Sequence, residues 1–126
     1  MGTETEIKLS LSARAASELG NHVLLSGVQP QRQMLINTYY DTPDHRLRSE
    51  GLVVRHRQKG SEWLLGVKTA AQLSGGLAER KEWERAGRPG EFDFSHVDQS
   101  AVRDLLESLR ERLQPVFVTR FQRHAW

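Results

Sequence analysis

The sequence predicts an α+β domain built on an antiparallel, barrel-like β-sheet with flanking helices. Three observations point there. The periodicity runs β-α-β-β-β-β-α-β, and strands two to five follow one another with no helix between them, as antiparallel pairing allows. Lys59-Gly60-Ser61 joins two strand-like segments as a glycine-containing hairpin link. Charged residues recur at alternate positions in strand after strand, while apolar residues on both sides of several strands call for cover, the pattern of a sheet curled round a polar interior.

Each element has its own signal. Residues 3–11 alternate strictly, with Glu4, Glu6, Lys8 and Ser10 on one side and Thr5, Ile7, Leu9 and Leu11 on the other, which predicts a half-buried strand. Ser12 is placed to cap a helix over residues 13–25, with Gly20-Asn21 as its point of interruption. The β-branched and aromatic run at 32–41 predicts a second strand, Thr42-Pro43-Asp44 a turn, and the residues up to Glu50 a short helical turn. Residues 52–58 and 62–69 form the hairpin. Residues 70–77, with Ser74-Gly75-Gly76, read as a flexible loop, and 77–86 as a densely charged strand. Residues 87–98 should be mostly irregular. Ser100 is expected to cap a helix from Ala101 to about Leu113, with an apolar stripe at Val102, Leu105, Leu106 and Leu109. Pro115 opens a last strand over 116–126, and Trp63, Trp83 and Trp126 are read as packing residues.

The composition suits one folded domain over residues 1–126: 37% of residues are hydrophobic and 27% charged. With no cysteine, disulfide frameworks, thiolate zinc sites and cysteine nucleophiles are excluded, so any metal would take oxygen or imidazole ligands. No apolar run approaches the roughly 20 residues that span a bilayer, and the N-terminus lacks a secretory pattern. A cytoplasmic protein with no membrane partner is the expectation. The net charge is +2, carried chiefly by arginine, whose planar fork suits phosphate oxygens.

The alternating charges are Glu4, Glu6 and Lys8; Arg55 and Arg57; Lys68; Arg80, Glu82 and Glu84; and Arg123. Alternation alone fits a solvated sheet face. In a confined lumen, however, facing arginines need a polyanion to supply the missing charge and accept their paired hydrogen bonds. Glu4 and Glu6 point the same way, about 6.5–7 Å apart along the strand, and their oxygens suit magnesium or manganese shared with substrate phosphates. The rival use of such a carboxylate pair, glycoside hydrolysis, is disfavoured by the surrounding cations. A nucleic-acid partner is disfavoured because the cations alternate with acids and lack interleaved stacking aromatics.

At this point the residues resemble the CYTH superfamily of triphosphate tunnel enzymes, which includes inorganic triphosphatases, thiamine triphosphatases and class IV adenylyl cyclases. The opening strand Glu4-Thr5-Glu6-Ile7-Lys8 matches its E-x-E-x-K mark. The segment Asn37-Thr38-Tyr39-Tyr40-Asp41-Thr42-Pro43-Asp44 followed by Leu47-Arg48 is the most specific match. Arg55-His56-Arg57, Lys68, Gly75-Gly76-Leu77 with Arg80-Lys81-Glu82, and the strand from Pro115-Val116-Phe117 to Arg123-His124-Ala125-Trp126 follow in order. The whole is most similar to bacterial inorganic triphosphatases.

The resemblance implies metal-dependent hydrolysis of a triphosphate-containing substrate, inorganic triphosphate or another polyphosphate, in a cationic β-tunnel with Mg2+ or Mn2+. The alternatives are a class IV-type adenylyl cyclase and a non-catalytic polyphosphate- or nucleotide-binding module. It implies Glu4, Glu6 and Lys8 as catalytic residues, and Lys8, Arg55, Arg57, Lys68, Arg80 and Arg123 as substrate-binding residues. Glu4, Glu6 and Glu82 would be metal ligands, with Glu82 alternatively orienting a neighbouring arginine. Asn37, Tyr39, Tyr40 and Asp41 are assigned to shaping the strand and turn. The family's tunnel continues with further strands past the position of Trp126, so an incomplete domain lacking its C-terminal strands is expected, with self-association through exposed sheet edges.

Overall fold

The computed structural model describes residues 2–70, 72–74 and 77–126. Its elements in chain order are β1 (Gly2–Ile7), α1 (Ala13–Leu19), β2 (Gln31–Asp41), α2 (Arg46–Ser49), β3 (Leu52–Lys59), β4 (Glu62–Thr69), β5 (Gln72–Ser74), β6 (Leu77–Ala86), α3 (Ser100–Leu109) and β7 (Gln114–Ala125). Single 3-10 turns lie at Val23–Leu25 and Arg110–Arg112. The strands form one sheet in the order β1-β6-β4-β3-β2-β7, with β5 also on β6, and every pairing is antiparallel. Among the described residues β1 and β7 are its two ends, so the sheet is open between them. No helix among these residues is long and apolar enough to cross a membrane.

The hairpin is where expected: β3 and β4 pair from Leu52↔Thr69 to Lys59↔Glu62, and Gly60 supplies the positive φ of 64° that the tight link demands. One face of these strands makes the core. Val54, Leu65, Val67 and Trp83 are buried there against Leu106 and Leu109 of α3 and against Phe94 and Val97 of the irregular stretch before it. Trp83 is nearly solvent-free because its indole Nε1–H donates to Asp98 Oδ1 at 2.8 Å, which satisfies the one polar group that so large an apolar residue carries inward. His56 is fully buried on the same face. Its Nε2 lies 3.0 Å from the Glu91 carbonyl, which can only accept, so Nε2 carries the proton and Nδ1 accepts from the Tyr40 hydroxyl at 2.8 Å. Burial, only partly opposed by the Glu91 carbonyl, holds the His56 pKa below the usual histidine value.

Several expectations are corrected. The first strand stops at Ile7, so Leu9 and Leu11 lie beyond it and are exposed, and Ile7 is exposed where β1, at the end of the sheet, pairs among the described residues with β6 alone. Ser12 caps α1 as expected, its Oγ accepting from Ala15 N at 3.1 Å, and the helix ends at Leu19, just before the Gly20-Asn21 interruption. Ser100 does not cap α3. It is the first helical residue, and Gln99 takes the cap position without a side-chain bond. The 70–77 stretch contains β5, paired with β6, while Ala71, Gly75 and Gly76 lie outside the described residues. Trp126 is 41% exposed at the end of the chain rather than packed in a core.

Asp41 does shape the turn. Its Oδ1 accepts from Thr42 N at 2.7 Å and Leu47 N at 2.9 Å, and its Oδ2 from Arg48 N at 3.2 Å, so one buried carboxylate satisfies the second and third donors of α2, while Thr42 Oγ1 accepts from the first, Arg46 N, at 2.9 Å.

Candidate functional site

The face of the sheet opposite the core gathers the charges, and strand register explains how. Across β3, β4 and β6, Arg55 stands opposite Gly66 and Gly66 opposite Glu84, while Lys68 stands opposite Glu82. Across β6 and β1, Arg80 stands opposite Glu4. On the other flank Arg57 stands opposite Asn37, and Asn37 opposite Thr119. Residues far apart in sequence but of matching parity therefore share one surface.

That surface holds a cavity of about 370 Å³ lined by Lys8, Arg55, Arg57, Lys68, Arg80 and Arg123, with Glu6, Tyr39 and Val53. All six cations expected to hold phosphate thus meet in one place. Arg55 is the most enclosed, at 3% side-chain exposure, and lies over Gly66, where an added Cβ would come within 3.6 Å of its Cγ and Nε. Its Nη2 reaches Glu82 Oε1 at 3.4 Å and Glu84 Oε2 at 3.7 Å. Lys68 Nζ is 3.6 Å from the same Glu82 oxygen. Glu6 Oε1 lies 3.2 Å from both Lys8 Nζ and Arg80 Nη2.

The balance is positive: among the described side chains, these six cations meet only three carboxylates, Glu6, Glu82 and Glu84. Burial, then the like charge of Arg55, holds the Arg57 pKa below its ordinary value, with Arg123 acting in the same direction and Glu84 against it. Arg55 Nε is buried without a hydrogen-bond partner. A donor left this way costs about 1–3 kcal/mol, and an anion in the cavity is the chemical complement of such a wall.

The carboxylates expected to ligate metal are less tightly gathered. Glu6 and Glu82 sit four positions apart along the β1/β6 pair, about 13 Å at strand rise, with Glu4 between them in register; the Glu4 side chain lies outside what the structure describes. No group of three His, Asp or Glu side chains forms a metal cage among the described residues. Their oxygens are nonetheless the hard donors that magnesium and manganese take, and magnesium commonly binds through one or two carboxylates plus substrate phosphates. The residues fit a shared ion of that kind, not a cage made of protein alone.

Sequence reasoning missed Tyr39, which lines the cavity and stacks on Phe117 with ring centroids 4.6 Å apart, and Asn37, which accepts from Arg57 Nε at 2.7 Å. Both have the parity of the cavity face on β2. That signal becomes readable only once the β2/β3 register is known. A second cavity of about 540 Å³ shares Tyr39 and Val53 with the first; Leu52, Ala70, Val116 and Phe117 give it apolar wall, and Asp41, His45 and Arg48 also line it. A third, of about 510 Å³, lies beside Arg80 and Lys81 and brings together no comparable set of cations.

Comparison with known proteins bears on this arrangement. The sequence model of the CYTH domain matches residues 2–126. An inorganic triphosphatase of Haemophilus influenzae is 31% identical over 98% of this chain, and the chain spans 35% of that protein's length. Among solved structures, an adenylyl cyclase candidate from Hippeastrum, described as revealing a dominant triphosphatase activity, superposes with a TM-score of 0.69 at 18% identity, over 95% of this chain and 63% of that one. An adenylate cyclase candidate from Bacillus halodurans gives 0.57 at 17% identity, over 96% of this chain and 63% of that one. A Pyrococcus horikoshii protein gives 0.55 at 15% identity, over 97% and 61%. At such identities these structures speak for the fold.

Proposed function

The chain belongs to the CYTH domain family, and from that premise we propose that it grips a triphosphate-containing substrate, inorganic triphosphate foremost, and hydrolyses its terminal phosphoryl group with a divalent metal. One observation carries the reading: six cations from β1's end, β3, β4, β6 and β7 converge on a single cavity, where they outnumber the carboxylates among the described side chains. The name of the Haemophilus relative supports the substrate.

Lys8, Arg55, Arg57, Lys68, Arg80 and Arg123 hold phosphate oxygens in this reading. Phosphoryl transfer needs little covalent help from a protein; it needs the chain aligned and the charge on the equatorial and leaving oxygens stabilised, which fixed guanidinium and ammonium groups do without reorganising. Arg55 is held in place by Glu82 and Glu84, so its fork is set before substrate arrives. Glu4 and Glu6 would hold the metal, which when bound supplies Lewis-acid neutralisation of phosphate charge and activation of water, while Glu82, too far along the strand pair from Glu6 to share one ion with it, would orient Arg55 and Lys68. Lys8 and Arg80 share Glu6, so phosphate drawing these two cations toward itself releases a carboxylate for that role.

A second reading, a triphosphate ester with an organic group, is favoured by the partly apolar second cavity, which shares Tyr39 and Val53 with the first. One assay separates the two. Phosphate release from inorganic triphosphate, thiamine triphosphate and ATP is followed with magnesium, with manganese and with neither, alongside cyclic AMP. Metal-dependent release from inorganic triphosphate, abolished by Arg55→Met, is the expected result. Cyclic AMP formation would move the assignment to cyclisation, and tight binding without either product would make the chain a binding module.

A further inference from the structure

We propose that Asn37 and Thr119 are positioning residues of the triphosphate grip: they aim Arg57 at the ligand by holding its Nε. The proposal rests on the reading that the cationic cavity binds triphosphate. Because β2 lies between β3 and β7, Asn37 faces Arg57 on one side and Thr119 on the other. Arg57 Nε donates to Asn37 Oδ1 at 2.7 Å, and Asn37 Nδ2 donates to Thr119 Oγ1 at 3.2 Å. Asn37 is fully buried, a costly place for an amide unless both of its ends are used.

A guanidinium presents five N–H donors in one plane. Fixing Nε sets the rotation of that plane and leaves the terminal nitrogens for the cavity that Arg57 lines. Arg55 is held differently, with a terminal nitrogen directed at Glu82 and Glu84. The neutral acceptor matters, since a carboxylate at position 37 would fix the same geometry while cancelling the charge meant for the anion. Thr119 supplies the anchor. An amide can sit either way round, and the reversed form would set Nδ2 against Arg57 Nε–H, donor against donor, so Arg57 itself selects the orientation; the threonine oxygen, accepting from Nδ2 at the far end, holds the amide in place. Arg57 also stands among the like charges of Arg55 and Arg123, so a rigid neutral anchor keeps it where repulsion would move it.

The test is a double-mutant cycle read by calorimetric titration with inorganic triphosphate. Asn37→Ala should weaken binding about tenfold and Thr119→Val about threefold, while Thr119→Ser, which keeps the hydroxyl, should bind like wild type. In an Arg57→Ala background each of the three should change affinity by less than about twofold, because the group they aim is gone. Equal losses in both backgrounds would overturn the positioning role and mark a general structural effect. Thr119 is half-buried, so the Thr119→Val and Thr119→Ser pair decides the matter if Asn37→Ala fails to fold. Wild-type protein that binds no triphosphate would overturn the functional reading, and this inference with it; binding without coupling to Arg57 would remove the positioning role alone.

Discussion

On β3, Val54 and His56 alternate with Arg55 and Arg57, and the two pairs meet opposite fates. The first pair points into a core that closes on itself: Val54 is fully buried among Leu65, Val67 and Trp83, and both ring nitrogens of His56 have partners. The second pair points into a cavity where cations outnumber the described carboxylates and one buried donor has no partner. The outer face is stabilised by what it already contains, whereas the inner face, under the proposed function, is completed by an anion from outside. Stability and binding are therefore written on opposite sides of the same strands, and substitutions should separate them.

The largest effect is expected on the outer face. Trp83→Ala removes the biggest buried side chain together with its bond to Asp98, and should destabilise the fold by about 3–5 kcal/mol in urea denaturation. Folded protein that remains should bind triphosphate as wild type does; a selective loss of affinity would break the separation of faces. On the inner face Arg57→Ala should do the reverse, weakening triphosphate binding by about 1.5–3 kcal/mol in a calorimetric titration, with a loss of stability smaller than that of Trp83→Ala, because relieved like-charge repulsion offsets part of the cost of leaving the buried Asn37 Oδ1 without its donor. A matching loss of stability would show that the cavity face holds the fold together as well.

A milder effect should follow acidification. Burial lowers the pKa of His56, and burial followed by the charge of Arg85 lowers that of His96, so below about pH 6.5 the unfolded chain binds more protons than the folded one. Their contribution is complete above that value and is lost as pH falls through the lowered folded pKa values. Urea midpoints should therefore drop from about pH 7 to about pH 5, and His56→Gln should flatten the slope; a midpoint that rose on acidification would contradict the neutral tautomer assigned to His56. The smallest effect belongs to Arg14→Ala, a residue that does not line the cationic cavity. Arg14 is exposed on α1 and paired only with Glu18, so affinity should change by less than about twofold. Equal losses from Arg14→Ala and Arg57→Ala would mean that attraction is diffuse.

Much of the fold was legible in local pattern. The hairpin at Gly60, the strand Leu77–Ala86, the cap at Ser12 and the broken first helix each depend on neighbours within a few residues, and those signals survive without tertiary context. So did the parity of the cations, because side chains two apart on a strand share a face wherever that strand goes. Burial at the ends of the sheet was not legible: Ile7, Leu9 and Leu11 carry a core-like alternation, yet among the described residues no second strand neighbours β1.

The sequence by itself determined which residue types could meet a polyanion and that they would alternate with apolar ones. Tertiary structure alone decided which strands lie side by side, and with that the partners: Asn37 between Arg57 and Thr119, Gly66 beneath Arg55, and Glu6 beside Arg80. The physical reason is that alternation fixes the side of a strand on which a residue lies but not the strand it faces; register across β2, β3 and β7 joins Asn37 to Thr119, 82 residues apart, and nothing in the local sequence encodes that distance.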